Sequence, residues 1–436
     1  MRYFFVVSSY KFTSIFAFIM IQKKHFSLAS ITLYSLMLMA FCIPLHKKMF
    51  VPCAIVSFIL VLIQFNKKQV VERLRSFKFL YTLIIYYCIV AMGLLWTENI
   101  PEGLFDLEIK LSFILFPVYF FIFPLNPDKS IQSRVIFSYL SGVGLSVLIC
   151  LVNAGINYIE QPVFYYTFAA SSFSILHHPT YFAMYINFAI VILLIWQRQH
   201  KIKSIPAVLA CIVLLGTNWL LMSRAGLLTS ILIVFTYWLT LFFERKYKGA
   251  IIMLMLLVIS SLAVYNFSSY AKFRMSTIIP FIQDLVSKKP KDETTTTTTD
   301  SRMITWKAAI SVISKNPLLG AGTGDVHSEL NKYYQQTYNE AALEKNLNAH
   351  NQFLQSWVAT GIFGFLSILL ILYVGIAKAL KKQDYLVFFF FLVSMITMMT
   401  ESIFETQSGV VFFAFFSALF LATREQTAAI LSDKKQ

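Results

Sequence analysis

Apolar runs about as long as a bilayer is thick alternate with short polar clusters from Phe26 to Leu421. In lipid, such runs close their backbone hydrogen bonds only as helices. The pattern therefore predicts an all-α integral membrane protein with about twelve transmembrane helices. The expected spans lie near 26–43, 49–65, 79–95, 110–124, 135–153, 178–196, 205–221, 227–243, 249–266, 353–377, 385–401 and 407–422.

Transmembrane helices 1–9 then occupy residues 26–266 and helices 10–12 residues 353–422, with 423–436 a cytoplasmic tail. Between the two sets, 267–352 is the one polar stretch long enough for a small domain, and it is expected as an extracytoplasmic loop domain. Within it, 288–300 contains Pro290 and an unbroken threonine run from Thr294 to Thr299, a composition that reads as a flexible linker. Met303 to Ile313 has helical spacing, and Asn316-Pro317 ends that helix because the residue before proline avoids the α region. Residues 1–25 are apolar but broken by Lys11 and followed by Lys23 and Lys24. They read as an N-terminal leader outside the core, either uncleaved or upstream of a start at Met20.

Composition removes the soluble alternative. The 436 residues are 58% apolar and 13% charged, against about 45–50% and 25% for a soluble chain. The net charge of +16 does not point to nucleic acid, because Lys and Arg are scattered through inter-helix loops and form no patch. Topology explains it better: Lys67, Lys68, Arg73, Arg75 and Lys78, then Arg198, Lys201 and Lys203, then Arg245, Lys246 and Lys248, then Lys381 and Lys382 all fall on one side, which is cytoplasmic. Lys47 and Lys48 break this rule. The five cysteines lie inside apolar runs without CxxC spacing, as packing or lipid-facing residues.

Three constellations fall on the opposite, outer side. Ser223-Arg224-Ala225-Gly226 breaks two spans, and Arg224 there is either a snorkelling anchor or an anion ligand. Arg302 and Trp306 are four apart on the expected helix, so the indole can pack on the guanidinium stem and aim its fork at phosphate oxygens. The glycines of Asn316-Pro317-Leu318-Leu319-Gly320-Ala321-Gly322-Thr323-Gly324 do not form a nucleotide fingerprint and read as a turn. His350, in Ala349-His350-Asn351-Gln352-Phe353, sits at a membrane mouth where it can act as a general base or serve a structural role. His177 and His178 at another outer mouth are either acceptor-side residues or the start of a helix at Pro179. Glu401 and Glu405 can orient a base or bind a sugar hydroxyl, whereas Asp106 and Glu108 read as surface acids. No metal or cofactor motif is present.

These motifs, in this order across Met222 to Gly364, resemble the O-antigen ligase and polymerase superfamily of bacterial membrane glycosyltransferases. The resemblance implies a glycosyltransferase C-like membrane fold in the inner membrane with its active site facing the periplasm. It implies a metal-independent, inverting transfer from a glycan on undecaprenyl diphosphate to lipid A-core or another glycan acceptor, with no cofactor. Arg224 and Arg302 would hold the diphosphate and His350 would deprotonate the acceptor, with Trp306, Asn351, His177, His178, Glu401 and Glu405 as accessory positions. Ligase is the favoured reading over polymerase, and a lipid-linked glycan transporter is the alternative from another class.

Overall fold

In the computed structural model the described residues are 27–125, 129–160, 162–163, 167–243, 245, 251, 255, 258 and 298–433, and of 47, 129, 224, 298–301 and 423–433 only the backbone is described. Every regular element among them is helical. Helices α1 (Leu28–Cys42), α2 (Lys47–Ile63), α3 (Lys67–Ser76), α4 (Leu80–Met92), α5 (Ile100–Lys110), α6 (Ser112–Ile122) and α7 (Lys129–Glu160) precede α8 (Pro179–Arg198), α9 (Ser204–Leu220) and α10 (Arg224–Phe243). After these come α11 (Thr298–Lys315), α12 (Val326–Gln336), α13 (Glu340–Glu344), α14 (Gln352–Lys381), α15 (Tyr385–Thr400) and α16 (Gln407–Asp433).

Among the described residues four helices, α7, α8, α10 and α14, are long and apolar enough to cross a bilayer, and α2 with α3, bent by 112°, make a fifth candidate. The protein is a multi-pass membrane protein. One expected span needs correction, and another is kept but kinked. The one near 110–124 is only the 11-residue α6, about 16 Å at 1.5 Å per residue, because the chain is already helical in α5 and breaks at Leu111. The one near 353–377 is interrupted. The ninth expected span, 249–266, lies outside the described residues except for 251, 255 and 258, as does the start of the threonine linker. The linker's last residues, from Thr298, belong to α11.

Helix α8 is apolar around nearly its whole circumference and is accordingly internal to the bundle, as is the described part of α16. Phe188 at its centre meets the rings of Phe390 in α15 and Phe412, Phe416 and Phe420 in α16 at 5.1–6.1 Å, mostly edge to face. Outward positions such as Ile55, Ile59 and Ile63 of α2 stay exposed, as expected of a surface solvated by lipid.

The interruption in α14 falls at Thr360 and Gly361, where φ of Gly361 is +65°. The glycine-rich 316–324 segment fills it. Ala321 N–H donates to Val358 O at 2.7 Å and Gly322 N–H to Ala359 O at 3.0 Å, while Ile362 N–H and the Trp357 indole donate to Pro317 O, both at 3.0 Å. Helical hydrogen bonds lost at the break are thus replaced by a neighbouring backbone. The segment is more than a turn. It also anchors α11–α13, whose own small core joins Ala308, Val312, Leu330 and Tyr334 to Val358.

The basic loops share one end of the bundle. The Arg198 guanidinium lies 5.1 Å from the Tyr385 ring and the Lys378 ammonium 5.3 Å from Phe79. Buried Arg73 donates to the carbonyls of Phe123 and Leu125 that end α6. At the other end the turn between α1 and α2 meets the start of α8, since His177 Nε2 lies 3.0 Å from Pro44 O. Lys48 belongs to that second end, so the exception seen in the sequence persists.

Candidate active site

His350 enters α14 with φ +45°, a left-handed backbone that non-glycine residues seldom adopt and that surrounding contacts must hold in place. Those contacts are the polar side chains of its own motif. Asn348 Oδ1 accepts from His350 N–H at 2.9 Å, and Gln355 Oε1 accepts from Ala349 N–H at 3.0 Å. Asn351 caps α14, accepting from Phe353 and Leu354 N–H, and its amide donates to Met399 O at 3.2 Å. Gln352, fully buried, accepts from Phe404 N–H at 2.6 Å. Asn351 is therefore a capping residue that ties α14 to the end of α15.

That tie places Glu401, the residue closing α15, against His350: Nδ1 to Oε1 is 2.9 Å. No partner for Nε2 occurs among the described residues. If Nδ1 carries the proton toward the carboxylate, Nε2 presents a lone pair to the outside. Burial pushes the Glu401 carboxyl up, but the His350 hydrogen bond and charge, with His178 and Arg302 behind them, outweigh it and hold it below its ordinary value. The same coupling appears from Arg302, where burial pulls the guanidinium down and Glu401 pulls it back up. At His178 desolvation dominates, with Glu401 opposing and His350 reinforcing, so the ring is held below its usual range. Three cationic or protonatable groups from α8, α11 and α14 thus surround one carboxylate from α15.

Helix α11 is seated by Thr305, whose hydroxyl lies 3.4 Å from Ala349 O. The expected packing of Trp306 on Arg302 is absent among the described contacts. Arg302 is half-buried toward Glu401, whereas Trp306 stays 38% exposed. Helical spacing brings residues four apart near each other but does not make both side chains turn inward.

The Ser223–Gly226 turn lies on the same end. Ser223 caps α10 by accepting from Gly226 N–H at 3.2 Å. A Cβ on Gly226 would stand 2.4 Å from Ala183 Cβ, so α10 and α8 touch there. Below, the buried amide of Asn187 donates to Gly226 O at 2.9 Å and accepts from Ser230 at 2.7 Å and Asn218 at 2.8 Å. Ala183–Gly226, Asn187–Ser230 and Leu194–Tyr237 share one separation of 43 residues, so the two helices run parallel in fixed register. By that register the Arg224 backbone stands level with Tyr181, one turn inside His178. The side chain of Arg224 lies outside the described residues.

The other expected positions have local partners of their own. His178 caps α8, its Nδ1 3.4 Å from Thr180 N. His177 turns to Pro44 and to Ser408, away from His350. Glu405 pairs with Lys110 at 3.0 Å, and Asp106 pairs with the same ammonium. Asp106 is thus no surface acid: it is drawn in by a lysine one turn further along α5, and Glu108 alone stays exposed. Lys110 was readable in the sequence as a lone cation four residues after Asp106 at the mouth of an apolar run. Among the described residues no three His, Cys, Asp or Glu side chains gather to hold a metal ion.

No curated protein matches the chain. Residues 205–369 match the family model described as O-antigen ligase. The matched stretch runs from α9 into α14 and includes Arg224, Arg302, the glycine-rich segment and His350. Over that stretch, well under half of its length, the chain is similar to the O-antigen ligase family.

Proposed function

We propose that the protein is an O-antigen ligase, which transfers a polysaccharide from undecaprenyl diphosphate to lipid A-core. The observation that carries the reading is the His350–Glu401 pair, with His350 Nε2 unpartnered among the described residues and Arg302 and His178 beside the carboxylate. Glu401 keeps the Nδ1 proton, so Nε2 takes the proton of the acceptor hydroxyl. The hydroxyl oxygen attacks the anomeric carbon from the face opposite the diphosphate, the bond to the leaving oxygen breaks, and the configuration inverts. Charge develops on the departing diphosphate, and Arg302 with Arg224 stabilises it by forked, charge-assisted hydrogen bonds. No metal ion is required for this.

The basic end of the bundle faces the cytoplasm and the His350 end the periplasm of a bacterial inner membrane. The match to the O-antigen ligase family model supports transfer of the ligase or polymerase type in general, and the ligase reading within it is the one tested below.

The test is a lipopolysaccharide gel of a deletion strain, beside an assay of glycans retained on undecaprenyl diphosphate. Rescue is attempted with wild type, His350→Ala and Arg302→Lys. Bare lipid A-core with long chains on the carrier, rescued by wild type alone, is the expected result. Arg302→Lys keeps the charge but loses the fork, so rescue falls by about a hundredfold. Core carrying single units without long chains would instead identify a polymerase, and rescue by His350→Ala would remove the base.

A further inference from the structure

The ion cluster of Lys110, Asp106 and Glu405 has no part in the mechanism above, yet it is one of the most deeply placed charged groups described. Lys110 is 3% exposed. A lysine so buried is retained only where its charge is matched, and here two carboxylates from different elements match it. A small cavity of about 10 Å³, lined in part by Tyr86, Thr323, Ser356 and Thr360, lies beside it.

Glu405 reaches Lys110 from the short turn Glu401–Thr406, the turn that also carries the partner of His350. Other holds on that turn come from helix ends and from the buried Phe404 ring, which packs on Tyr86, Phe113 and Phe413. Asn351 N–H donates to Ser402 Oγ at 3.2 Å and Phe404 N–H to Gln352 Oε1. Ile403 is packed so closely that a Cβ on Gly409 would lie 2.0 Å from its carbonyl oxygen. The Lys110–Glu405 pair is the ion pair that joins the turn to α5.

We propose that Lys110 is a positioning residue of the transfer site: through Glu405 it fixes the 401–406 turn, and thereby the angle at which Glu401 holds His350. This rests on the ligase reading, in which His350 is the base. Removing the ammonium leaves Asp106 and Glu405 as two half-buried carboxylates without their shared counter-ion. Glu405 then turns toward water and carries Glu401 with it. The substrates do not touch Lys110, so the chemical step suffers and donor binding does not.

The experiment measures transfer from purified undecaprenyl-diphosphate-linked glycan to lipid A-core by wild type, Lys110→Met, Lys110→Arg, Glu401→Gln, and Lys110→Met combined with Glu401→Gln. Lys110→Met is expected to lower kcat about tenfold or more with donor KM within about twofold. Lys110→Arg, which can still bridge both acids, restores most of the rate. In the Glu401→Gln background Lys110→Met adds no further loss, because both act on one orientation. Losses that multiply, or a raised KM with unchanged kcat, overturn the proposal. Should Lys110→Met fail to give a monodisperse protein, Glu405→Gln takes its place, with the same non-additivity expected and the same multiplication decisive against it. His350→Ala is the control on the parent reading. If it is as active as wild type the ligase mechanism fails, whereas an inactive His350→Ala beside a fully active Lys110→Met sinks only the role of Lys110.

Discussion

Glu401 is nine-tenths buried in its surroundings and still ionised, because cationic partners outweigh the cost of burial. A carboxyl whose folded-state pKa lies below its unfolded value binds fewer protons when folded. Its contribution to stability is present above about pH 4.3 and is lost as pH falls through the folded value. Glu401→Gln is therefore expected to lower the melting temperature in detergent most at neutral pH, with the gap to wild type closing as the pH falls below about 4. A gap that stays constant with pH would mean that shape, not charge, is what Glu401 supplies. His350, Arg302 and Glu401 were each visible in the sequence as polar residues at membrane mouths. Their union was not, because 51 residues and two apolar helices separate His350 from Glu401, and no periodicity spans that gap. Lys110 was hidden for the opposite reason: its partner at position 405 lies 295 residues away, and only the local pair with Asp106 was readable.

At the scale of elements, hydropathy located most of the helices but could not see inside them. Thr360 and Gly361 sit in the middle of an apolar run, so nothing in composition separates the two halves of α14. The glycines of 316–324 were visible, yet what they fill is set by tertiary contact. Gly361 is the point where this is tested. Its φ of +65° disfavours any L side chain, and a Cβ would stand 2.0 Å from Leu318 O. Gly361→Ala should lose more than about 2 kcal/mol, since the left-handed conformation alone costs about 1–2. Gly144 in α7 is the control, with nothing within 4 Å of a built Cβ. There alanine should be neutral or stabilising by up to about 1 kcal/mol through helix propensity. Tryptophan fluorescence melts of both variants read the difference, and equal melting temperatures would show that the break is not held by the glycine-rich segment.

For the whole molecule, the arrangement has one polarity. Helices α8, α10 and α14 begin at the end where His178, Arg224 and His350 stand, and α15 finishes there with Glu401. The loops rich in Lys and Arg close the other end, where Arg198 meets Tyr385 and Lys378 meets Phe79. Under the proposed transfer, a lipid-linked diphosphate and a lipid-anchored acceptor both lie in the membrane plane, so a site at one end of the bundle is reachable by both from a single leaflet. Alternating access would need polar groups distributed toward both faces. In the orientation proposed from the positive-inside bias the His350 end is the outer one, and Lys48 at that end is the exception to the bias. Orientation is decided by labelling cysteine-free protein carrying either Tyr338→Cys, at a position 92% exposed beyond α12, or Lys382→Cys, in the exposed turn after α14. A membrane-impermeant maleimide should modify Tyr338→Cys in intact spheroplasts and Lys382→Cys only after lysis. The reverse pattern would put His350 in the cytoplasm, where donor chains already displayed outside could not reach it, and labelling of both without lysis would mean that α14 does not cross the membrane at all.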